Sequence, residues 1–250
     1  MVGALCCGLM YRFSKKIIPT CIAEALGTGI LGGLAAYPLA KYVMLIQPDG
    51  MFIYIVPFLI STVAGSIVAA IVMLILKKNG ALAAFKEYTD RYDSSRDMIR
   101  LKIEHTYRVC GLCQQIARSL ELPEEEVDIA WLTGLLHDVG RFEQQRVYGT
   151  FTDADSIDHA KYGARILFGK VWEEKHGLAS GSEESLPEEV QADAGISIRD
   201  FVEDACCDEL LWTAVFYHSA YRIPEGLEER TAMFCHILRD ADKKIGRAHV

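Results

Sequence analysis

Charged side chains are scarce in the first third of this 250-residue sequence. Residues 51–76 contain no charged residue, and Glu24 and Lys41 are the charged residues within residues 17–46. Because about 20 consecutive apolar residues can cross the hydrocarbon core of a bilayer, both runs are predicted to be membrane helices. The length of the first run, and the second run behind it, exclude a cleaved signal peptide.

An excess of basic residues is missing from the rest of the chain. Residues 1–83 have a net charge of +4, whereas residues 84–250 have 20 basic and 32 acidic side chains and a net charge of −12. Proteins that bind nucleic acid need basic surface to replace the counterions of the phosphates. The acidic region therefore argues against a nucleic-acid partner.

The eight cysteines do not form the pattern of a disulfide framework. Residues 6–7 and 206–207 are directly adjacent pairs, which favours reduced thiols. Cys110-Gly-Leu-Cys113 lies within a helical pattern and has no second pair to complete a metal site. Packing in the core is the prediction for these two cysteines, with redox or zinc chemistry as the alternative.

Basic residues around the two apolar runs predict their orientation. Arg12, Lys15 and Lys16 precede the first run and Lys77 and Lys78 follow the second, whereas the connecting loop has no basic residue. The positive-inside rule places both basic clusters, and the domain that follows, in the cytoplasm. Since the first ten residues are apolar but too short to cross, we expect two to three membrane helices in a multi-pass protein of the cell membrane.

Small residues are frequent in the segment Glu24-Ala-Leu-Gly-Thr-Gly-Ile-Leu-Gly-Gly33. Small residues let helices approach closely in lipid. A carboxylate within a membrane span costs enough free energy to indicate a function. The alternative is a packing face with Glu24 near the membrane interface. Residues 24–40, together with Tyr54-Ile-Val-Pro-Phe-Leu-Ile-Ser61, resemble the C-terminal half of the thiamine-precursor (thiazole) S components of bacterial energy-coupling-factor transporters. The resemblance implies a vitamin-binding membrane subunit whose partners are the other transporter subunits. Half of such a subunit is not expected to close a substrate cavity alone.

The C-terminal region has helical periodicity and little strand-like alternation, so an all-helical domain is predicted. A predicted helix ends in Leu-Leu-His137-Asp138-Val-Gly140-Arg, where we expect Gly140 to stop it. An adjacent His-Asp pair can bring a ring nitrogen and a carboxylate oxygen to one metal ion. In the helix predicted over residues 95–120, His105 falls on the inward face with Leu101 and other apolar residues.

Asp158-His159, Tyr217-His218 and Asp240-Ala-Asp242-Lys243 extend this pattern. The order H…HD…H…H…D resembles the HD-domain family of metal-dependent phosphohydrolases over residues 85–243. The resemblance implies an all-α fold and six metal ligands: His105, His137, Asp138, His159, His218 and Asp242. Asp240 would be a neighbour of the last ligand. If His159 and His218 bind a second ion, Asp138 is expected to bridge the two; otherwise both histidines contact the substrate phosphate.

The expected cofactor is one or two divalent ions, because a mixed set of imidazoles and carboxylates suits Mn, Fe, Co or Mg. The expected substrate is a nucleotide or a small phosphorylated metabolite, with Asp138 and Arg141 as catalytic residues. The Arg141 guanidinium matches phosphoryl oxygens, and a surface salt bridge is the alternative. Residues 143–156 are predicted to form an active-site loop, and residues 177–195 a flexible excursion.

The end of the sequence departs from the family's pattern. Residues 245–250 look like a translated sequencing adapter, with Lys244 as the join. We therefore expect a membrane segment at 1–83, an HD domain at 84–243 that is truncated at its C-terminus, and an artefact tail at 244–250. The chain is a natural fusion or two neighbouring proteins joined by error.

Two rival functions stay open at this point. The first is a membrane S component for a thiamine precursor, with an HD appendage that is regulatory or has no role. The second is an HD oxygenase that uses two irons.

Overall fold

The computed structural model describes residues 2–14, 17–47, 50, 52–178 and 194–247. These residues are helical and contain no strand, which confirms the predicted all-α class. The chain divides into two compact units, residues 1–79 and 80–250, and each is described by itself. The predicted boundaries at residues 83/84 and 243/244 stay predictions.

The first unit consists of apolar helical segments. They are α1 (Val2–Ser14), α2 (Ile17–Glu24), a π-helix (Ala25–Gly32), α3 (Gly33–Pro38), a second π-helix (Leu39–Val43) and the beginning of α4 (Ile55–Thr89). Ile18–Val43, 26 residues long, is the one described helix that is long and apolar enough to cross a membrane. Ile55–Ala70 is a shorter apolar helix, and the side chains of residues 71–78, in the second predicted span, lie outside the description.

Glu24 lies where α2 continues into the first π-helix. One of its carboxylate oxygens accepts a hydrogen bond from Thr28 Oγ1 (3.2 Å) and the other from Ser66 Oγ of α4 (2.6 Å). Nearby, a Cβ atom on Gly33 would lie only 2.8 Å from Ile55 Cα, so glycine lets these backbones meet. The small residues and the carboxylate therefore belong to one helix-packing face.

The second unit consists of helices around one apolar core. They are the end of α4, α5 (Asp97–Ser119), α6 (Glu124–Leu136), α7 (Val139–Tyr148), α8 (His159–Phe168), α9 (Lys170–Lys175), α10 (Ile198–Phe201), α11 (Asp208–Tyr217) and α12 (Glu229–Arg247). Helix α5 packs along α6 and α12, while α8 packs against α7 and α11. The largest fully buried side chains include Phe85, Tyr88, Leu135, Phe142, Trp212 and Phe234.

Helix α5 turns one apolar face toward this core. Val109, Cys110 and Cys113 are buried, and burial raises the pKa of the Cys113 thiol to about 12, as expected for a packing residue. The expectation that Leu101 also points inward is wrong, because its side chain is 51 % exposed. Leu101 lies one turn before His105, where the helix face opens to solvent.

Helix α6 delivers the His-Asp pair to the end of an apolar helix. It begins directly after Pro123, and Glu124–Glu126 lie in its first turn, where acidic side chains interact favourably with the helix dipole. It ends at Leu136, and the chain turns at His137 and Asp138 before α7 begins.

The prediction that Gly140 ends this helix is wrong. Gly140 lies in the first turn of α7, and its function is close packing against α8. A Cβ atom there would lie 2.2 Å from the carbonyl oxygen of His159 and 2.6 Å from the backbone nitrogen of Gly163. The absence of a side chain thus allows the helix that begins with His159 to lie beside the His-Asp turn.

The predicted active-site loop is shorter than residues 143–156. Residues 143–148 belong to α7. The side chains of Glu143 and Gln144 are buried there and form hydrogen bonds with polar groups of the second unit. Tyr92 Oη, for example, donates a hydrogen bond of 2.5 Å to Glu143. The loop begins at Gly149 and includes a 3₁₀ turn at Asp153–Asp155. Of the predicted excursion at 177–195, residues 179–193 lie outside the described part.

Gly140→Ala should lower the free energy of unfolding of the second unit by about 2 kcal/mol or more, because the methyl group overlaps α8 backbone atoms. Gly111→Ala in α5 is the matched control. A Cβ atom there meets nothing within 4 Å, so helix propensity should raise stability by about 1 kcal/mol. Tryptophan fluorescence during chemical denaturation measures both, since Trp131, Trp172 and Trp212 all lie in this unit. Equal stability of the two variants would contradict the packing argument.

Candidate metal centre

The six predicted ligands come from separate elements of the second unit and meet in one cluster. They are His105 in α5, His137 and Asp138 between α6 and α7, His159 at the start of α8, His218 after α11, and Asp242 in α12. Two overlapping groups of these side chains are close enough to hold a metal ion, and Asp138 belongs to both.

Asp138 lies at the centre of the cluster and is 3 % exposed. Its Oδ2 lies 3.3 Å from Nε2 of His137 and 3.7 Å from Nε2 of His105. Its Oδ1 faces the other group, 3.5 Å from Nε2 of His159 and 3.9 Å from Nε2 of His218. The carboxylate thus turns one oxygen toward each pair of imidazoles.

Asp242 completes the first group. Its Oδ1 lies 3.0 Å from Nε2 of His105 and 3.8 Å from Nε2 of His137. Within the described residues, neither Nε2 atom has a hydrogen-bond partner in suitable geometry, although both are buried. Asp240, two residues earlier, is exposed and has no close approach to this group among the described contacts. The spacing in α12 therefore turns one aspartate inward and the other outward.

The orientation of the imidazole rings identifies the atoms that face the centre. In both His137 and His218, Nδ1 lies 2.7 Å from the backbone carbonyl oxygen three residues earlier. In His159, Nδ1 lies 2.7 Å from Oδ2 of Asp153. Because Nδ1 carries the proton that is donated in these bonds, Nε2 is the nitrogen with a free lone pair whenever the ring is neutral. Histidines that bind metals are commonly oriented in this way.

The geometry of His159 and His218 indicates whether a metal ion fits beside them. Their Nε2 atoms lie only 3.0 Å apart, close enough to bind one ion together. Burial and the neighbouring imidazoles of His159 and His137 lower the pKa of His218 to about 3, so the His218 ring is neutral near pH 7. Imidazole nitrogens with a carboxylate oxygen are a suitable donor set for a divalent ion.

Lys102 brings a positive charge to the cluster, with Nζ 2.8 Å from Oδ2 of Asp138. Burial alone would raise the pKa of Asp138, but the charges of His137 and Lys102 hold this pKa well below its ordinary value. The carboxylate therefore stays ionised. No sequence motif predicted a role for Lys102, although its position three residues before His105 on the same helix face was an available signal.

Arg141 lies on the opposite side of Asp138, and its side chain is 16 % exposed. Nη1 donates hydrogen bonds to Oδ1 of Asp153 (2.6 Å), to Gln144 Oε1 (2.9 Å) and to the carbonyl oxygen of Phe151. Nε lies 3.7 Å from Oδ1 of Asp138 and is buried without a hydrogen-bond partner among the described residues. Arg141 thus forms a salt bridge, as in the alternative, but a largely buried one that joins the loop to the cluster, and its role in phosphate binding stays a prediction.

Asp153 was also missed, because no periodicity marks a functional residue in a loop. Burial alone would raise its pKa, but the hydrogen bond with His159 prevails and the pKa of Asp153 is lowered to about 2. The side chain is therefore a carboxylate that accepts from His159 and Arg141 together.

An all-helical unit whose histidines and aspartates converge in this way defines a helical domain with a candidate divalent-metal centre. Residues 103–191 match the family model of the HD domain, and residues 1–79 match that of the thiamine-precursor transporter protein (ThiW). These matches confirm the predicted order of the two families and indicate association with a membrane. His218 and Asp242 lie outside the matched residues. No curated protein and no solved structure matches the chain.

Asp242→Asn should weaken Mn²⁺ binding by about tenfold or more, because it removes a charged oxygen beside His105. Asp240→Asn, which changes the same charge on the exposed side of α12, should leave the affinity unchanged. Titration of the full chain with Mn²⁺, followed by electron paramagnetic resonance, measures the free ion directly. Equal losses in both variants would mean that only the net charge of α12 matters.

Proposed function

We propose that residues 84–243 are a metal-dependent phosphohydrolase of the HD type. The observation that carries this proposal is the geometry of Asp138, whose two oxygens face two pairs of imidazoles. The match of residues 103–191 to the HD domain supports it, because that family consists largely of metal-dependent hydrolases.

The donor atoms divide naturally between two ions. His105, His137, Asp138 and Asp242 would hold the first ion, and Asp138 with His159 and His218 would hold the second. Mn, Fe, Co or Mg would suit these nitrogen and oxygen ligands. A divalent ion polarises a phosphoryl oxygen and makes water a better nucleophile at neutral pH.

The protein's own cations would bind the phosphate. Lys102 and Arg141 lie on opposite sides of the Asp138 carboxylate, 2.8 Å and 3.7 Å from its Oδ2 and Oδ1. A phosphoryl group at the cluster would therefore meet a positive side chain on either side. Because the surrounding histidines are buried, these charges act in a medium that screens them little.

A groove of about 260 Å³ borders this site, because Lys102 and His105 are among its lining residues. Met98, Leu101 and Phe151 also line it. Ile245 and Gly246 also contribute to the wall. Its size suits a nucleotide or a small phosphorylated metabolite that reaches the cluster from the α5 side.

Hydrolysis by the full chain in detergent tests the proposal, with Mn²⁺, Fe²⁺, Co²⁺ or Mg²⁺ added to metal-free protein. p-Nitrophenyl phosphate, nucleoside monophosphates and a cyclic dinucleotide are the test substrates. We expect phosphoester hydrolysis that a chelator abolishes and fresh metal restores. His137→Ala should lower kcat/KM by about 100-fold or more. His236→Ala, an exposed histidine of α12, is the matched control and should leave kcat/KM unchanged.

Two outcomes would contradict a phosphohydrolase. A chain that hydrolyses none of these phosphoesters and binds no metal would sink the proposal entirely. Turnover by the iron-loaded chain that requires oxygen would instead support the two-iron oxygenase.

We propose a second function for the membrane segment, as part of a thiamine-precursor transporter. The match of residues 1–79 and the apolar helix Ile18–Val43 favour it. The basic residues at 12–16 and 77–78 support a multi-pass segment with the C-terminal domain in the cytoplasm. The energy-coupling-factor subunits would be its partners.

Uptake of labelled thiazole by cells that express the full chain with energy-coupling-factor subunits tests this second function. Glu24→Gln should lower uptake several-fold, because it weakens the acceptor of the Thr28 and Ser66 hydroxyls. His137→Ala, at equal amounts of protein in the membrane, should leave uptake unchanged. Uptake no greater than in cells without the chain would rule out transport.

A further inference from the structure

Asp153 lies outside the predicted ligand set, in the loop between α7 and α8. Its Oδ2 lies 2.7 Å from Nδ1 of His159. Its Oδ1 lies 2.6 Å from Nη1 of Arg141 and 2.9 Å from Nε2 of Gln144. One carboxylate thus contacts both a proposed metal ligand and the proposed phosphate-binding residue.

We infer that Asp153 is a positioning residue that fixes His159 and Arg141 in their working orientations at the same time. This inference rests on the proposed phosphohydrolase function. It assigns Asp153 no contact with substrate or with the reacting atoms.

The chemistry of the carboxylate explains why an aspartate is suited to this task. Nδ1 of His159 must carry its proton to donate to Oδ2, so the ring presents the lone pair of Nε2 to the cluster. The other oxygen holds Nη1 of Arg141 while Nε of the same guanidinium points toward Asp138. Since every partner of Asp153 here is a donor, both oxygens must be acceptors.

The loop that carries Asp153 is itself held in place. Gln144 is fully buried, and its Nε2 also donates to Ser156 Oγ and to the carbonyl oxygen of Ile157, each at 2.8 Å. Ser156 Oγ in turn donates to the carbonyl oxygen of Thr152 at 2.8 Å. These bonds fix the 3₁₀ turn to α7, so Asp153 is preorganised for its two partners.

A direct role of Asp153 as a ligand beside Asp158 and His159 is the competing explanation, since these three side chains are close to one another. The observed contacts argue against it. Asp153 bonds Nδ1, on the opposite side of the ring from the Nε2 that faces His218. Asp158 is engaged in capping α8, where its Oδ1 accepts from the backbone nitrogens of Ala160 and Lys161.

Asp153→Asn tests the inference, because an uncharged amide offers one acceptor oxygen, so one of the two partners is lost and the other is held more weakly. Asp155→Asn is the matched control, since Asp155 is exposed in the same 3₁₀ turn. In the full chain, we expect Asp153→Asn to weaken binding of the second Mn²⁺ equivalent by about 10- to 100-fold. KM for p-nitrophenyl phosphate should rise even at saturating metal, because Arg141 is released. Both quantities should be unchanged in Asp155→Asn.

Asp153→Glu separates positioning from a general structural effect. Glutamate keeps two acceptor oxygens on a longer side chain, so it should recover part of the Mn²⁺ affinity that asparagine loses. The tryptophan unfolding midpoint of each variant shows whether the fold is intact. A glutamate variant no better than asparagine, with both folded, would overturn the inference.

Measurements on the parent chain distinguish failure of the positioning role from failure of the proposed function. If the parent binds metal and hydrolyses phosphoesters, but Asp153→Asn equals it in Mn²⁺ affinity and KM, the positioning role is wrong and the proposed function stands. If the parent neither binds metal nor hydrolyses a phosphoester, the proposed function is wrong and the positioning role is lost with it.

Discussion

The second unit depends on one physical constraint, which is the burial of the Asp138 charge. A carboxylate that is 3 % exposed would cost several kcal/mol if nothing compensated its lost hydration. Here the compensation comes from Lys102 and from imidazoles on several helices. The packing of α5, α8, α11 and α12 around the His-Asp turn is therefore also the means by which a buried charge is tolerated.

Local sequence information was sufficient for most of the helices, whereas the resemblance to the HD-domain family supplied the proposed ligands near their ends. The apolar run before His137, the acidic first turn of α6 and the Asp158 cap of α8 all act within a few residues. The helical periodicity of α5 also directed His105 toward the cluster. For such residues the direction of a side chain follows from its own helix, so the pattern alone predicted it.

The features that could not be predicted are those that depend on a partner distant in sequence. Gly140 was expected to end a helix, because the backbone atoms of α8 that exclude a side chain there cannot be read from the sequence. The inward direction of Glu143 and Gln144, which shortens the loop, likewise depends on Tyr92 and on the loop itself. Asp153 acquires its partners only when α7 and α8 meet. The conformation and side-chain direction of these residues are determined by tertiary contacts and not by local propensity.

The hydrogen bonds that orient the histidine rings determine how sensitive each ring is to mutations at other positions. In His137 and His218 the proton on Nδ1 is directed by a main-chain carbonyl in the last turn of a helix, an acceptor that every amino acid provides. The tautomer of these two rings therefore depends on the helix and not on the identity of a supporting side chain, although close packing excludes a side chain at Gly134, where a Cβ atom would lie 2.9 Å from Cys110 Cα. His159 depends on the side chain of another residue instead. Of these three rings, it is the one whose tautomer a single mutation elsewhere in the gene can change.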